Sequence, residues 1–543
     1  MWGRTVLLGG LLLPVLLSSA WASTDHACAT LPAGDALGAL ATMAPEEAHA
    51  AALQWDPLYR VWLDDGGLSW LDGDVDGARA ASRDTCFNPA AVEGHADFAL
   101  AAESTHFALF RRSGSAPLAN TVDALLDSLE DALDRFEDLG WRPPGGLDGA
   151  QMMVFLEPLP AGLGGYTWVA PCAAAPDGTM DWIVLSEAWA AEEDFRDPLV
   201  AHELFHTVQR RYLYTEYVTN LAESTSRWWV EASAVYQEGL VFPDELDLAE
   251  ERSARWGEAP WTSLFLFDEV TIRHYQVFVF PLSIEGSLDD IGWHRRFWEQ
   301  LDGSVDVDLR AEFDAFLEPL GTTFDTEFGA YMARASEMDL PRYDYLLGPR
   351  DLQAFYGING GLAGRYAATE LPAEGAMEAG AMEGPQGLGG NYVWFGTTAA
   401  PEERALELTF VGDLATPEGD PVTWGVEVVA ARAGGVELRA SVTPAPATVR
   451  GEDVVMATVL VHGVKESLDG VWLVATRLDE AGGTAPGWSW EGRLVRGDAE
   501  LAIEEGQGGC GCGAGAGGSP MIVISLLLLP AMLRRRASEH RAR

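Results

Sequence analysis

His202 and His206 stand four residues apart in Ala201-His202-Glu203-Leu204-Phe205-His206-Thr207-Val208-Gln209. On a helix, side chains at i and i+4 lie one above the other on a single face, so this spacing brings two imidazoles together. Glu203 reaches the same cleft from one position round. Two imidazoles beside a carboxylate suit a divalent metal that activates water, with Glu203 as the general base that takes the proton. A third ligand is expected on a later helix. Trp228-Trp229-Val230-Glu231-Ala232-Ser233-Ala234-Val235-Tyr236 offers Glu231, 25 residues beyond His206. The small side chains of Ala232 and Ala234 would let that helix come close to the first. Glu223 and Glu238 are rivals, and Glu238, just ahead of Gly239, reads as solvated. A developing oxyanion needs a nearby Tyr or His donor. His274, Tyr275 and Tyr236 are the candidates; none is preferred, and Tyr236 reads better as a packed aromatic.

The elements that would position these groups follow from periodicity. His106 to Arg111, Gln151 to Leu156 and Met180 to Leu185 read as strands, and Gly164-Gly165 as a turn into a further strand, Tyr166 to Val169. Val122, Leu125, Leu126, Leu129, Leu133 and Phe136 recur at helical spacing, with Gly140 where that helix should stop. The histidine helix is expected over Asp197 to Tyr212. Leu264, Phe265 and Phe267 suggest a helical packing stripe, and Phe278 to Ile284 fits helix or strand. Two amphipathic helices are expected, one through Phe313, Phe316 and Leu317 and one through Phe324, Phe328 and Tyr331. From Tyr366 to Val495 the pattern changes to short alternating runs, which reads as a β-sandwich.

These two helical stretches resemble the glutamate-ligated zinc metallopeptidases of the thermolysin-like superfamily, or gluzincins. They are closer still to secreted bacterial metallopeptidases with a Trp-rich glutamate helix. The resemblance covers residues 95 to 345. It implies a zincin-like α+β domain with His202, His206 and Glu231 as zinc ligands and Glu203 as base. It also implies that the edge strand bearing Tyr166 and Trp168 binds a peptide substrate by adding it to the sheet; packing at the rim is their plainer role. The gap between His206 and Glu231 is longer than in thermolysin, so substrate preference does not carry over.

Composition narrows the partners. With 83 acidic against 35 basic residues the formal net charge is -48, which disfavours nucleic acid and anionic lipid. Residues 1–22 read as an export signal, with Arg4, an apolar run from Val6 to Leu17, and small residues up to Ala22. Residues 501–543 combine a Gly/Cys run (Cys510, Cys512), an apolar stretch from Met521 to Leu533 and Arg534-Arg535-Arg536. That order resembles myxobacterial surface sorting tags, and implies processing near Cys510 or Cys512 by sorting machinery and display at the cell surface. That apolar run is short, but the weakly apolar span from Ala514 to Leu533 is just long enough to be transmembrane. Cys28, Cys86 and Cys172 allow one disulfide at most, with Cys28–Cys86 preferred. The expected organisation is therefore a signal (1–22), a leader or propeptide-like region (23–93), an α+β zincin-like catalytic domain (94–348), an all-β sandwich (349–500) and the tail (501–543). The expected function is an exported zinc endopeptidase. Its alternatives are a non-catalytic surface adhesin on the same scaffold and a glycoprotein-directed peptidase whose sandwich contacts carbohydrate.

Overall fold

The computed structural model describes residues 95–341 and 366–505, apart from short stretches within those ranges. The signal-like segment, the leader, all five cysteines, Glu223 and the tail from residue 506 onward lie outside the described residues, while Ala502–Glu505, expected at the start of the tail, pairs as a strand with Glu452–His462 and so belongs to the β-rich part. Among the described residues, no helix is long and apolar enough to cross a membrane.

The N-terminal part is built on one sheet of β1 (Phe98–Glu103), β2 (Phe107–Arg112), β3 (Met152–Glu157), β4 (Gly165–Pro171) and β5 (Thr179–Ser186). Its order is β1-β2-β3-β5-β4. The three inner strands are parallel, while β1 and β4 close the two edges antiparallel. A parallel pair needs a crossover, and α1 (Ala119–Asp138) supplies it between β2 and β3. The expected stripe from Val122 to Phe136 is buried against the sheet. The helix stops at Gly140, which takes φ +78°. There Gly140 N–H donates to Glu137 O at 2.8 Å and Trp141 N–H to Phe136 O at 3.0 Å, a glycine-closed helix end.

Helices follow: α2 (Glu187–Ala191), α3 (Glu193–Gln209), α4 (Arg227–Val241), α5 (Arg273–Gln276), α6 (Val279–Leu288), α7 (Trp293–Gln300), α8 (Leu309–Leu317) and α9 (Phe324–Ala335). The histidine helix, α3, begins a turn earlier than Asp197, and Pro198 lies inside it. Glu193 and Asp194 occupy its first turn, where the helix dipole favours negative charge. It is buried on every side from Pro198 onward. Phe205 packs on Phe136 and Trp141 with ring centroids 5.5 and 4.9 Å apart. Phe278 to Ile284 resolves as helix, most of it in α6. The expected stripe at Leu264 to Phe267 does not. This stretch forms turns, because Leu264 N–H donates to Leu388 O at 2.9 Å and ties the chain to a distant loop instead of to itself.

The C-terminal part is β-rich and almost wholly antiparallel. One sheet has the order β11-β10-β14-β8-β6 and the other β12-β13-β9-β15-β7, with β16 added to β13. The strands of the first are β6 (Tyr366–Glu370), β8 (Gly390–Gly396), β10 (Trp424–Arg432), β11 (Gly435–Val442) and β14 (Gly470–Arg477). Those of the second are β7 (Met377–Glu383), β9 (Arg404–Asp413), β12 (Ala445–Val449), β13 (Glu452–His462), β15 (Gly487–Arg496) and β16 (Ala502–Glu505). Successive side chains on a strand point to opposite faces, and β8 uses both. Val393 and Phe395 join Leu408, Phe410, Trp488 and Trp490 in a core between the sheets. Tyr392 and Trp394 join the core of the helical part instead. Polar contacts reinforce that junction: Tyr392 O–H donates to Met332 O at 2.8 Å, and Trp472 Nε1–H to Glu337 Oε1 at 2.7 Å.

Candidate metal centre

Helices α3 and α4 pack side by side, and a side chain just past the second histidine fixes their register. Gln209 Nε2 donates to Val230 O and to Ser233 Oγ, each at 2.8 Å. With its amide so oriented, Gln209 Oε1 faces His206 Nδ1 at 2.8 Å. A carbonyl oxygen only accepts, so Nδ1 carries the proton and His206 Nε2 presents a lone pair. His202 is held in the same way. Its Nδ1 donates to Glu238 Oε1 at 2.7 Å, which turns Nε2 toward Glu231.

These atoms converge. His202 Nε2 lies 3.0 Å from His206 Nε2 and 3.2 Å from Glu231 Oε2, and His206 Nε2 lies 3.4 Å from the same oxygen. Atoms this close need positive charge among them, either a proton or a metal ion. A tetrahedral cation with ligands at about 2.0–2.1 Å needs neighbouring ligand atoms about 3.3 Å apart, which is the spacing observed. His202, His206 and Glu231 are thus a group able to hold a metal ion. Electrostatics point the same way. Burial alone would depress His202, yet the Glu231 and Glu238 carboxylates outweigh it and push the imidazole up to about 10. Burial would raise Glu231, but the two histidines hold it well below the ordinary glutamate range.

Glu203 is buried, and its Oε2 has no hydrogen-bond partner among the described residues. Burial raises its pKa, while His206 and His202 oppose the rise. Its carboxylate lies against the start of β4 in a space only glycine permits. A Cβ on Gly165 would fall 2.9 Å from Glu203 Oε1 and 2.7 Å from the Val184 carbonyl oxygen.

Of the three candidate oxyanion donors, Tyr275 is beside the cluster, its ring centroid 5.6 Å from that of His202. Burial and the charges of Glu231 and Glu203 raise its phenol well above the ordinary range, so it stays protonated. His274 stacks on Phe267 at 4.1 Å. Tyr236 gives its hydroxyl proton to Glu285 Oε2 at 2.7 Å. Tyr166 lies on the edge strand with its ring edge-on to Trp182 at 6.3 Å, and Trp168 is in the same strand, in register with Trp182.

Glu238 corrects the sequence reading, for it is buried and not solvated. Its second oxygen accepts from Arg252 Nη1 at 2.5 Å, and the Arg252 guanidinium lies 5.6 Å from the Tyr275 ring centroid. The signal was available: Glu238 is seven residues after Glu231, two helical turns on and on the same face. Glu238→Ala is expected to weaken divalent-metal binding about 10- to 100-fold, measured by competition with a chromophoric chelator. An unchanged affinity would remove Glu238 from the centre.

A second missed contact anchors the end of α3. Arg210 Nε donates to Asp181 Oδ1 at 2.6 Å and its Nη1 to Thr167 Oγ1 at 2.8 Å, while Asp181 Oδ2 accepts from Gly145 N–H at 2.9 Å. One buried ion pair thereby joins the histidine helix to β5 and to the edge strand β4. No protein-family model matches the chain, and neither does any curated protein.

Proposed function

We propose that this chain is an exported zinc-dependent endopeptidase, with a zincin-like α+β part carrying the reaction and a β-sandwich beyond it. The observation that carries this reading is the convergence of His202 Nε2, His206 Nε2 and Glu231 Oε2 at 3.0–3.4 Å, with Glu203 alongside. Neutral imidazoles and a carboxylate are the donor set that zinc takes in open hydrolytic sites, where three protein ligands leave a fourth position. A bound zinc supplies Lewis acidity, which makes water nucleophilic near neutral pH and polarises a carbonyl.

The chain's own groups account for the rest. Glu238 and Gln209 accept from the two Nδ1–H groups and so aim both Nε2 atoms at one point, where a metal ion would take the place of the proton on His202. Glu203, with a raised pKa and an uncommitted oxygen, accepts the proton from the attacking water and returns it to the leaving amine. Tyr275, kept protonated, donates to the developing oxyanion. The β4 edge offers backbone groups to an extended peptide beside Glu203. Export rests on residues 1–22 and surface display on the Gly/Cys tail, both sequence arguments. Carbohydrate contact by the sandwich has no supporting observation.

The test is hydrolysis of an unfolded protein and of a quenched peptide library by the purified chain. Activity is expected to vanish with 1,10-phenanthroline and to return with micromolar zinc. Activity that survives complete chelation would sink the zinc mechanism, and a metal-loaded chain that cuts nothing would favour a surface-binding scaffold.

A further inference from the structure

Arg273 opens α5 and is 2 % exposed. Its Nη2 donates to Thr262 O at 3.1 Å, but Nε and Nη1 are buried without a hydrogen-bond partner among the described residues. None of those residues pairs a carboxylate with it. A guanidinium does not escape by losing its proton, so its positive charge stands in the core with nothing opposite it. Burial works against that charge and lowers the group's pKa.

Tyr331 on α9 adds a second unused donor. It is 1 % exposed, and its hydroxyl oxygen already accepts from the Trp256 indole N–H. The phenolic proton therefore has to point elsewhere, and among the described residues it meets no acceptor. Burial raises this phenol to about 12, with the Arg273 charge opposing the rise, so the two groups are close enough to interact. The Tyr392 hydroxyl, which also bears on Arg273, already donates to Met332 O.

We propose that Arg273 and Tyr331 bind a small monovalent anion, chloride in size and charge, in the core beside the junction of α9 with β8. Donors without acceptors and one net positive charge define an anion site. Phe280 and Trp256 flank Tyr331 with centroids at 5.5 and 5.8 Å, and Tyr392 lies 6.4 Å from Trp256. Aromatic carbon there offers no further donors for a multivalent oxyanion such as phosphate or sulfate. Since α5 also carries Tyr275, anion binding braces the segment that faces His202. The site itself stands independently of the peptidase reading.

Thermal unfolding of the full chain, with chloride replacing gluconate at constant ionic strength, tests this. A saturable rise in midpoint of about 2–4 °C is expected for wild type and none for Arg273→Gln. Identical midpoints in the two salts, or an equal rise in the variant, would overturn the proposal. Should the variant fail to fold, crystals of the wild-type chain soaked in bromide decide. An anomalous peak within hydrogen-bonding distance of Arg273 Nε or Nη1 supports the site, and a water there without anomalous signal sinks it.

Discussion

Glu203→Gln is expected to lower kcat/KM on a peptide substrate by about 10²–10⁴-fold while leaving the metal content of the chain unchanged. The substitution keeps the shape of the side chain and its place beside Gly165, and removes only its ability to take up and release a proton. Stability should move the other way. Burial raises the Glu203 pKa in the folded chain, and an acid whose folded pKa is raised costs stability as pH climbs through the unfolded value. Glutamine is free of that cost, so the variant should unfold at the same temperature as wild type or higher near neutral pH. Loss of activity without loss of stability or metal would identify Glu203 as a base. A variant with full activity would exclude it from the reaction, and one that lost its metal would make it a structural part of the centre.

Arg210→Met should produce the largest loss of stability. Asp181 and Arg210 are 3 % and 5 % exposed, and removing one partner of such a pair leaves a buried charge uncompensated. The expected cost is about 3–5 kcal/mol, a fall of roughly 10 °C in midpoint for a part of this size. Burial already raises the Asp181 pKa despite Arg210, and losing Arg210 raises it further. An acid with a raised folded pKa binds more protons folded than unfolded, so the deficit should be greatest at high pH and shrink as pH falls and Asp181 protonates. A deficit independent of pH would mean that lost packing, not a stranded charge, is responsible. The variant also frees Thr167 on β4, so its peptide KM should rise more than its kcat falls.

Much of the centre was legible because helical geometry is local. His202 and His206 lie one turn apart, and any helix through them must present both on one face. The choice of Glu231 needed a second helix at close range, which Ala232 and Ala234 suggested and the Gln209–Ser233 contact achieves. What escaped was of two kinds. Glu238 shares a face with Glu231, but an acid before a glycine looks like a helix end in water, and only the position of His202 shows otherwise. The Arg210–Asp181 pair joins residues 29 apart, and no local pattern encodes it.

The β-rich part divides similarly. The runs at Leu406 and Val454 fall in strands because alternating apolar residues specify a half-buried pleat, and those at Tyr392 and Val471 because a short continuous apolar run suits a strand buried on both faces. Strand β7, Met377–Glu383, carries none of that signal. It pairs with β15 through Gly380, where the ring of Trp490 lies so close that an added Cβ would come within 2.7 Å of it. A strand chosen for lacking a side chain cannot be found by looking for side chains. The turns at Leu264 to Phe267 fail for the converse reason, since an apolar stripe records burial without saying which backbone buries it.

Zinc content by elemental analysis, on folded chain equilibrated with zinc and freed of excess, tests the central claim most directly. The wild-type chain should retain about one zinc, as should Glu203→Gln, and Glu231→Ala should retain almost none. A folded wild-type chain that holds no zinc, or a Glu231→Ala chain that holds as much as wild type, would contradict the proposed centre.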